Sequence, residues 1–239
     1  DGAPVNAMPI LDDDALREQV AWSCRILAMG GHGDYTLGHV SARIIDSDQF
    51  LITPRISLAL VTEAELLTMN LNGEVVAGDH PAPFEAALHA SIMKTKPRVN
   101  AITRIHARVA NIFSVTDRKL EPVHNHGSFF AGGVPVFYRP DLISTAQLGE
   151  EVASTIGDQP AVLLRGNGQV TVGRTIPEAV MMAIYLEEAA EILHGALQIG
   201  TPIPLTIDEA AKRQVEALPP VDLERAWNYF KDKVHAKQI

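Results

Sequence analysis

Between Asn100 and Gly133 the chain reads NAITRIHARVANIFSVTDRKLEPVHNHGSFFAGG, and four groups able to hold a proton, an anion or a metal fall inside it: Arg104, His106, His124 and His126. Asn100 to Ile105 reads as a short apolar strand that ends at His106. A helical pattern (Ala107, Ala110, Ile112, Phe113) begins at once. A side chain at such a strand-to-helix junction faces the crevice where α/β proteins bind ligands. Arg104 and His106 are two residues apart, so they project to the same face of the strand. His124 and His126 repeat that spacing. Ionisable groups gathered this closely are candidates for acid–base work, metal ligation or the grip of an anionic substrate.

The elements that must position these groups follow from periodicity and punctuation. Asp12 to Asp14 offer caps for a helix through Met29, with Leu16, Val20, Cys24, Leu27 and Ala28 on one side, and GGHGD ends it. Val40–Ile45 and Gln49–Thr53 read as strands around a turn at Asp46–Asp48. Thr62 opens a short helix with Glu65 in capping-box position. Met69 to Val76 is a hairpin around Asn72-Gly73, and Pro83 to Thr95 is a helix. After the central strand come a short strand at Val134–Phe137 and a helix capped by Ser144 and running to Ile156. Ala161–Leu164 and Gln169–Val172 are strands joined by the RGNG turn. Pro177 stands in the first turn of a long helix through Gln198, where proline is tolerated. Two tail helices begin near Ile207 and Val221, separated by Leu218-Pro219-Pro220, and Asp1 to Ile10 is an extended arm. Strands and helices mix without strict alternation, which predicts a mixed sheet covered by helices.

Composition sets the outer bounds. At 239 residues, 46% apolar and 21% charged, the chain suits one large globular α/β domain. The net charge of −9 and the absence of a basic run argue against nucleic acid as a partner. No apolar run approaches the ~18 residues of a membrane span. The lone Cys24 cannot form an intramolecular disulfide, and no signal-like segment is visible, so a cytoplasmic location is expected.

The segments GHVSAR, FLITP, NGEVVAG, PFEAALH, AITRIHARVANIFSV, GGVPV, AVLLRGNGQVTVG and EAVMMAIYLEEAAEIL, in that order and spacing, resemble the class II aldolase/adducin family. The resemblance implies an α/β fold, a three-layer α/β/α sandwich around a central, mainly antiparallel sheet. It implies a single such domain over 1–239, with a core at about 13–199 and a helical tail at 205–239. It also implies a homotetramer with sites between neighbouring subunits. Members hold a divalent metal with an H-x-H pair, a late histidine and a nearby glutamate that moves protons. Here Glu85 falls on that glutamate and His106 on the second histidine of the pair. Arg104 replaces the first histidine and Asn167 the late one. Phosphate-binding hydroxyl residues give way to His39, Arg55 and Phe84. Arg55 can hold a planar carboxylate in two hydrogen bonds, and Phe84 can face an aromatic ring.

This pattern is closest to the family's aromatic and heteroaromatic decarboxylase branch, typified by 3-hydroxy-2-methylpyridine-4,5-dicarboxylate decarboxylase. The expected activity is a carbon–carbon lyase reaction, decarboxylation of a hydroxylated aromatic or heteroaromatic carboxylate. A divalent metal (zinc, manganese or iron), Arg104, or both would stabilise the enolate-like intermediate. The expected catalytic residues are Glu85, His126 and Arg104. His39, Arg55, Phe84, His124 and Asn167 are expected to bind substrate, and Glu85, His106 and His126 to bind the metal. The alternatives are a retro-aldolase on a non-phosphorylated substrate, a non-heme iron oxygenase on the same fold, and a non-catalytic adducin-like interaction module.

Overall fold

The computed structural model describes residues 11–32, 37–217 and 220–237. The expected N-terminal arm, the end of the GGHGD stretch and Leu218-Pro219 lie outside these residues. Helix α1 (Asp13–Leu27) starts where Asp12 accepts a hydrogen bond from the Ala15 amide at 2.8 Å. It buries Leu16, Val20, Cys24 and Leu27, the stripe that the heptad-like spacing predicts. The buried Cys24 thiol is pushed far above its ordinary range by loss of solvent, so it is inert.

Among the described residues, eight strands form one sheet: β1 (His39–Arg43), β2 (Gln49–Ile52), β3 (Leu67–Asn70), β4 (Val75–Ala77), β5 (Ala101–Ile105), β6 (Val136–Phe137), β7 (Ala161–Leu164) and β8 (Gly168–Gly173). Their spatial order is β4-β3-β2-β1-β5-β8-β7-β6. Every pairing is antiparallel except that of β6 with β7. The β3–β4 hairpin turns at Asn72-Gly73, where Gly73 takes φ 87°. Before it, Thr62 and Glu65 close the expected capping box.

Among the described residues, the remaining α-helices are α2 (Ala86–Thr95), α3 (Arg108–Ser114), α4 (Ala146–Ile156), α5 (Ile176–Ile199), α6 (Ile207–Ala217) and α7 (Pro220–Lys237). The cap of α4 is Thr145 rather than Ser144: its side chain accepts from Leu148 N, the geometry that Ser144, one residue earlier, cannot reach. Thr175 caps α5 ahead of Pro177.

Alternation along the strands separates two apolar layers. Ile102 of β5, with Phe50, Met69, Val162 and Val170, packs under α2 and α4. Ala101 and Ile105, with Val40, Leu51 and Leu163, pack under α1, α3 and α5. The architecture is a three-layer α/β/α sandwich with a mainly antiparallel sheet. Helix α7 rests on α1 and α5, burying Trp227 and Val234. None of the described helices is long and apolar enough to cross a membrane.

Candidate active site

Arg104 shares the face of Ile102, so its side chain enters the layer under α2 rather than solvent. It is 1% exposed, among the largest fully buried side chains of the fold. The antiparallel register sets His39 of β1 directly opposite it. Glu85, at the N-terminal boundary of α2, approaches from above. Its Oε2 lies 2.8 Å from Arg104 Nε, an ion pair rather than a linear hydrogen bond. Arg104 Nη1 donates to His106 Nε2. Because arginine has no acceptor, that contact leaves the His106 proton on Nδ1.

A second line of groups stands behind Glu85. Ser41 Oγ lies 2.6 Å from His89 Nδ1, His89 Nε2 lies 2.9 Å from His39 Nδ1, and His39 Nε2 lies 3.7 Å from Glu85 Oε2. If His39 presents an N–H to Glu85, then His89 must donate to His39 and Ser41 to His89. The chain of donors is then complete and points at the carboxylate.

Burial and neighbouring charge keep these imidazoles neutral. Loss of solvent is the main cause for each, and the Arg104 charge adds to it. His39 is held well below its ordinary value, with His89 and His106 also acting on it. His89 is pushed down to about 3 and His106 to about 4. In the unfolded chain the same groups titrate near 6.5. Between those values the unfolded state binds more protons, so stability is full above pH 6.5 and falls as pH drops. The expected slope approaches ~1.4 kcal/mol per pH unit for each imidazole. Urea midpoints taken from about pH 7 to about pH 5, above most carboxylate titrations, should fall steadily. A flat profile there would mean that the imidazoles are charged in the fold.

The turn that carries Asn167 closes the site from β7–β8. Gly168 packs so tightly on the end of β5 that an added Cβ would meet Ile105 O at 2.2 Å and His106 Cα at 2.9 Å. The Gly166 and Gly168 amides donate to Ser114 Oγ and Asn111 Oδ1 of α3 at 2.9 and 3.0 Å. At the outer rim the Arg55 guanidinium sits 4.1 Å over the Phe84 ring, both exposed, with Phe84 adjoining Glu85. Arg43, by contrast, binds the carbonyls of Met93 and Val99 and is structural.

His124 and His126 are elsewhere. Both belong to the loop and short 3-10 turn packed on α5. His126 Nδ1 lies 2.6 Å from Glu188 Oε2, and its ring stacks on Tyr185 at 4.0 Å. His124 Nε2 lies 4.0 Å from Glu188 Oε1. Helix α5 covers the face of the sheet opposite to Arg104 and α2. The expected metal set Glu85, His106 and His126 is therefore not brought together within one chain. Among the described residues, the groups that do converge are His124, His126 and Glu188, with one ligand atom of each within 4.8 Å of the others.

Sequence reasoning did not single out Ser41, Glu187, Glu188 or Tyr185. Ser41 was legible as the same-face neighbour of His39, and His89 as the residue one helical turn after Glu85. Glu187 and Glu188 interrupt a largely apolar helix. Glu187 uses that place structurally, accepting from the Val109 and Ala110 amides at 2.8 Å each.

Residues 18–194 match the family described as Class II Aldolase and Adducin N-terminal domain. The chain belongs to the class II aldolase and adducin family. Within it, the chain is 32% identical over 230 residues to a 3,4-dihydroxyphthalate decarboxylase from Terrabacter sp. (strain DBF63), covering 90% of this chain and 92% of that one. It is 32% identical over 190 residues to the enzyme of the same name from Arthrobacter keyseri, covering 73% and 75%. An L-fuculose 1-phosphate aldolase structure from Glaciozyma antarctica PI12 superposes with a TM-score of 0.84 at 22% identity, covering 98% and 95%, which bears on the fold.

The family's aldolases use a divalent metal, and the residues expected on those ligand positions from the resemblance, Arg104, His106, Asn167 and Glu85, are not arranged here to hold one. The Arg104 guanidinium already stands between Glu85 and His106 and occupies their facing atoms. Asn167 is a weak ligand for such ions. A doubly charged ion beside a buried guanidinium would meet repulsion in a medium that screens it poorly.

Proposed function

We propose that the protein is a decarboxylase of hydroxylated aromatic carboxylates that works at the Arg104–Glu85–His106 centre. It is an enzyme of the carbon–carbon lyase class, as the family's decarboxylases and aldolases both are. The observation that supports the finer reading is the buried guanidinium, gripped by a carboxylate and an imidazole, on the position where the resemblance to the family's aldolases leads one to expect a metal ligand.

Decarboxylation of an ortho-hydroxy acid needs three things. The phenolic oxygen must be stabilised as the ring takes a keto form, a proton must move from that oxygen to the ring carbon, and the carboxylate must leave a dry pocket. Carbon dioxide then departs and its bonding electrons restore the aromatic ring. Arg104 is too buried to touch substrate, so its charge acts through His106. A neutral imidazole whose Nε2 is held by a cation is a strengthened donor at Nδ1–H, suited to the phenolic oxygen. Glu85, backed by His39, His89 and Ser41, moves the proton to carbon. Arg55 holds the carboxylate and Phe84 faces the ring, with Asn167 beside His106 as a further polar contact.

Carbon dioxide release from 3,4-dihydroxyphthalate and from simpler hydroxybenzoates tests this reading. One equivalent per substrate is expected, with His106→Gln slower by about 10²–10³-fold, the usual cost of an oxyanion donor. Turnover of L-fuculose 1-phosphate instead would overturn it. The same reading includes a homotetramer, supported by exposed Ile199, Ile203, Ile207 and Val215 on the last helices and their connection; light scattering gives the mass.

A further inference from the structure

We propose that His124, His126 and Glu188 form a binding site for one divalent first-row transition metal ion, on the face of the sheet opposite the Arg104 centre. The inference does not rest on the reaction proposed above.

Three observations carry it. First, the ligand geometry is nearly met. Ions of this class bind imidazole nitrogen and carboxylate oxygen at about 2.0–2.2 Å, which sets neighbouring ligand atoms roughly 3–3.5 Å apart. The contacts of Glu188 with the two histidines, 2.6 Å to His126 and 4.0 Å to His124, straddle that spacing. Small rotations of half-buried side chains bring all three onto one ion.

Second, both ring nitrogens of His124 are buried and neither has a hydrogen-bond partner among the described residues. An imidazole always has one donor and one acceptor to satisfy, so two orphaned nitrogens are costly unless something is bound there. His126 is pre-oriented by its stack on Tyr185, with Phe129 lying nearly parallel to the same ring 5.8 Å away.

Third, the surroundings favour a cation and leave room for its other ligands. His126 and Glu188 line a cavity of about 1080 Å³. Its wall carries Glu187, Glu188, Glu191 and Asp222 against Arg108 and Arg225. Arg225 is already bound to Asp222 at 2.7 Å. Two imidazoles and one carboxylate select zinc, iron(II), cobalt(II) or nickel(II) over magnesium or calcium. Three protein ligands leave positions open toward the cavity for water or an oxygen chelator.

Chelator-stripped full-length protein titrated with cobalt(II), followed by visible absorption, tests the site, with zinc(II) calorimetry as the second measurement. One equivalent per chain should bind, with cobalt bands of nitrogen and oxygen ligation. His124→Ala and Glu188→Gln should each lower affinity by at least about tenfold, while Glu85→Gln and His106→Gln bind as the parent does. Far-ultraviolet circular dichroism of each variant without metal separates lost ligation from lost fold, and Glu188→Gln, the isosteric change, decides if His124→Ala is misfolded. Absence of binding by the parent, binding unchanged in well-folded Glu188→Gln, or binding lost in Glu85→Gln or His106→Gln would overturn the assignment.

Discussion

Arg104→Ala is expected to lower stability by about 3–5 kcal/mol and turnover by at least about 10²-fold. The stability loss follows from burial. The substitution leaves Glu85 as a carboxylate with 6% of its side chain exposed and no counter-charge, and it strips His106 Nε2 of its donor. Uncompensated buried charge, not the lost contact itself, is the larger part of the cost. Arg104→Lys should recover part of the stability but little activity. An ammonium is a point charge and cannot reach Glu85 and His106 together as the planar guanidinium does. The double variant Arg104→Met, Glu85→Leu separates the two roles. Replacing the whole ion pair by apolar side chains should restore most of the stability, because no charge is left without a partner. It should restore none of the turnover. Urea melts and single-turnover carbon dioxide release read the two effects independently. A stable Arg104→Ala variant would mean that the pair contributes little to the fold. An active double variant would remove Arg104 and Glu85 from the chemistry.

Much of this arrangement was legible because it is local. The spacing of two between Arg104 and His106 placed them on one face, and their contact follows from that. Asn72-Gly73, Thr62 with Glu65, and Pro177 announced a hairpin, a capping box and a helix start, and each feature depends on a few consecutive residues. What local pattern does not encode is which helix covers which face of the sheet. Glu85 and His126 both flank the β5 segment in the chain, and nearness in sequence suggested one site. The chain instead carries α2 over one face and returns the HNH turn against α5 on the other. Glu188 escaped notice for a related reason. A carboxylate in a largely apolar helix reads as an exposed position until the loop that meets it is known. The Ser41–His89–His39 line was accessible in principle, since each pair shares a face. It needed the register of β1 against β5 to become a chain leading to Glu85.

The two glycines that flank Asn167 should differ sharply when changed to alanine, although both have positive φ. Gly166 takes φ 70° and Gly168 φ 91°, so each alanine bears a backbone cost of about 1–2 kcal/mol. At Gly166 nothing more is added, because its Cβ would meet only Val115 Cγ1 at 3.7 Å, an ordinary contact. At Gly168 the Cβ would fall 2.2 Å from Ile105 O and 2.9 Å from His106 Cα. Those are main-chain atoms at the end of the central strand, held by pairing with both β1 and β8, so they cannot turn aside as a side chain would. Relief requires the β7–β8 turn to lift away from β5. That would also strain the bonds from the Gly166 and Gly168 amides to α3. Gly168→Ala is therefore expected to cost about 3–5 kcal/mol, the range reserved for backbone clashes in a packed core, against about 1–2 kcal/mol for Gly166→Ala. The functional effect should follow the same order, because the residue displaced is His106. A shift of about 1 Å in a positioned group is enough to lower turnover by about 10²-fold. Urea midpoints for both variants, with turnover measured well below the midpoint, give the comparison. Equal losses at the two glycines would mean that the turn does not press on the strand, and that His106 is held by Arg104 alone.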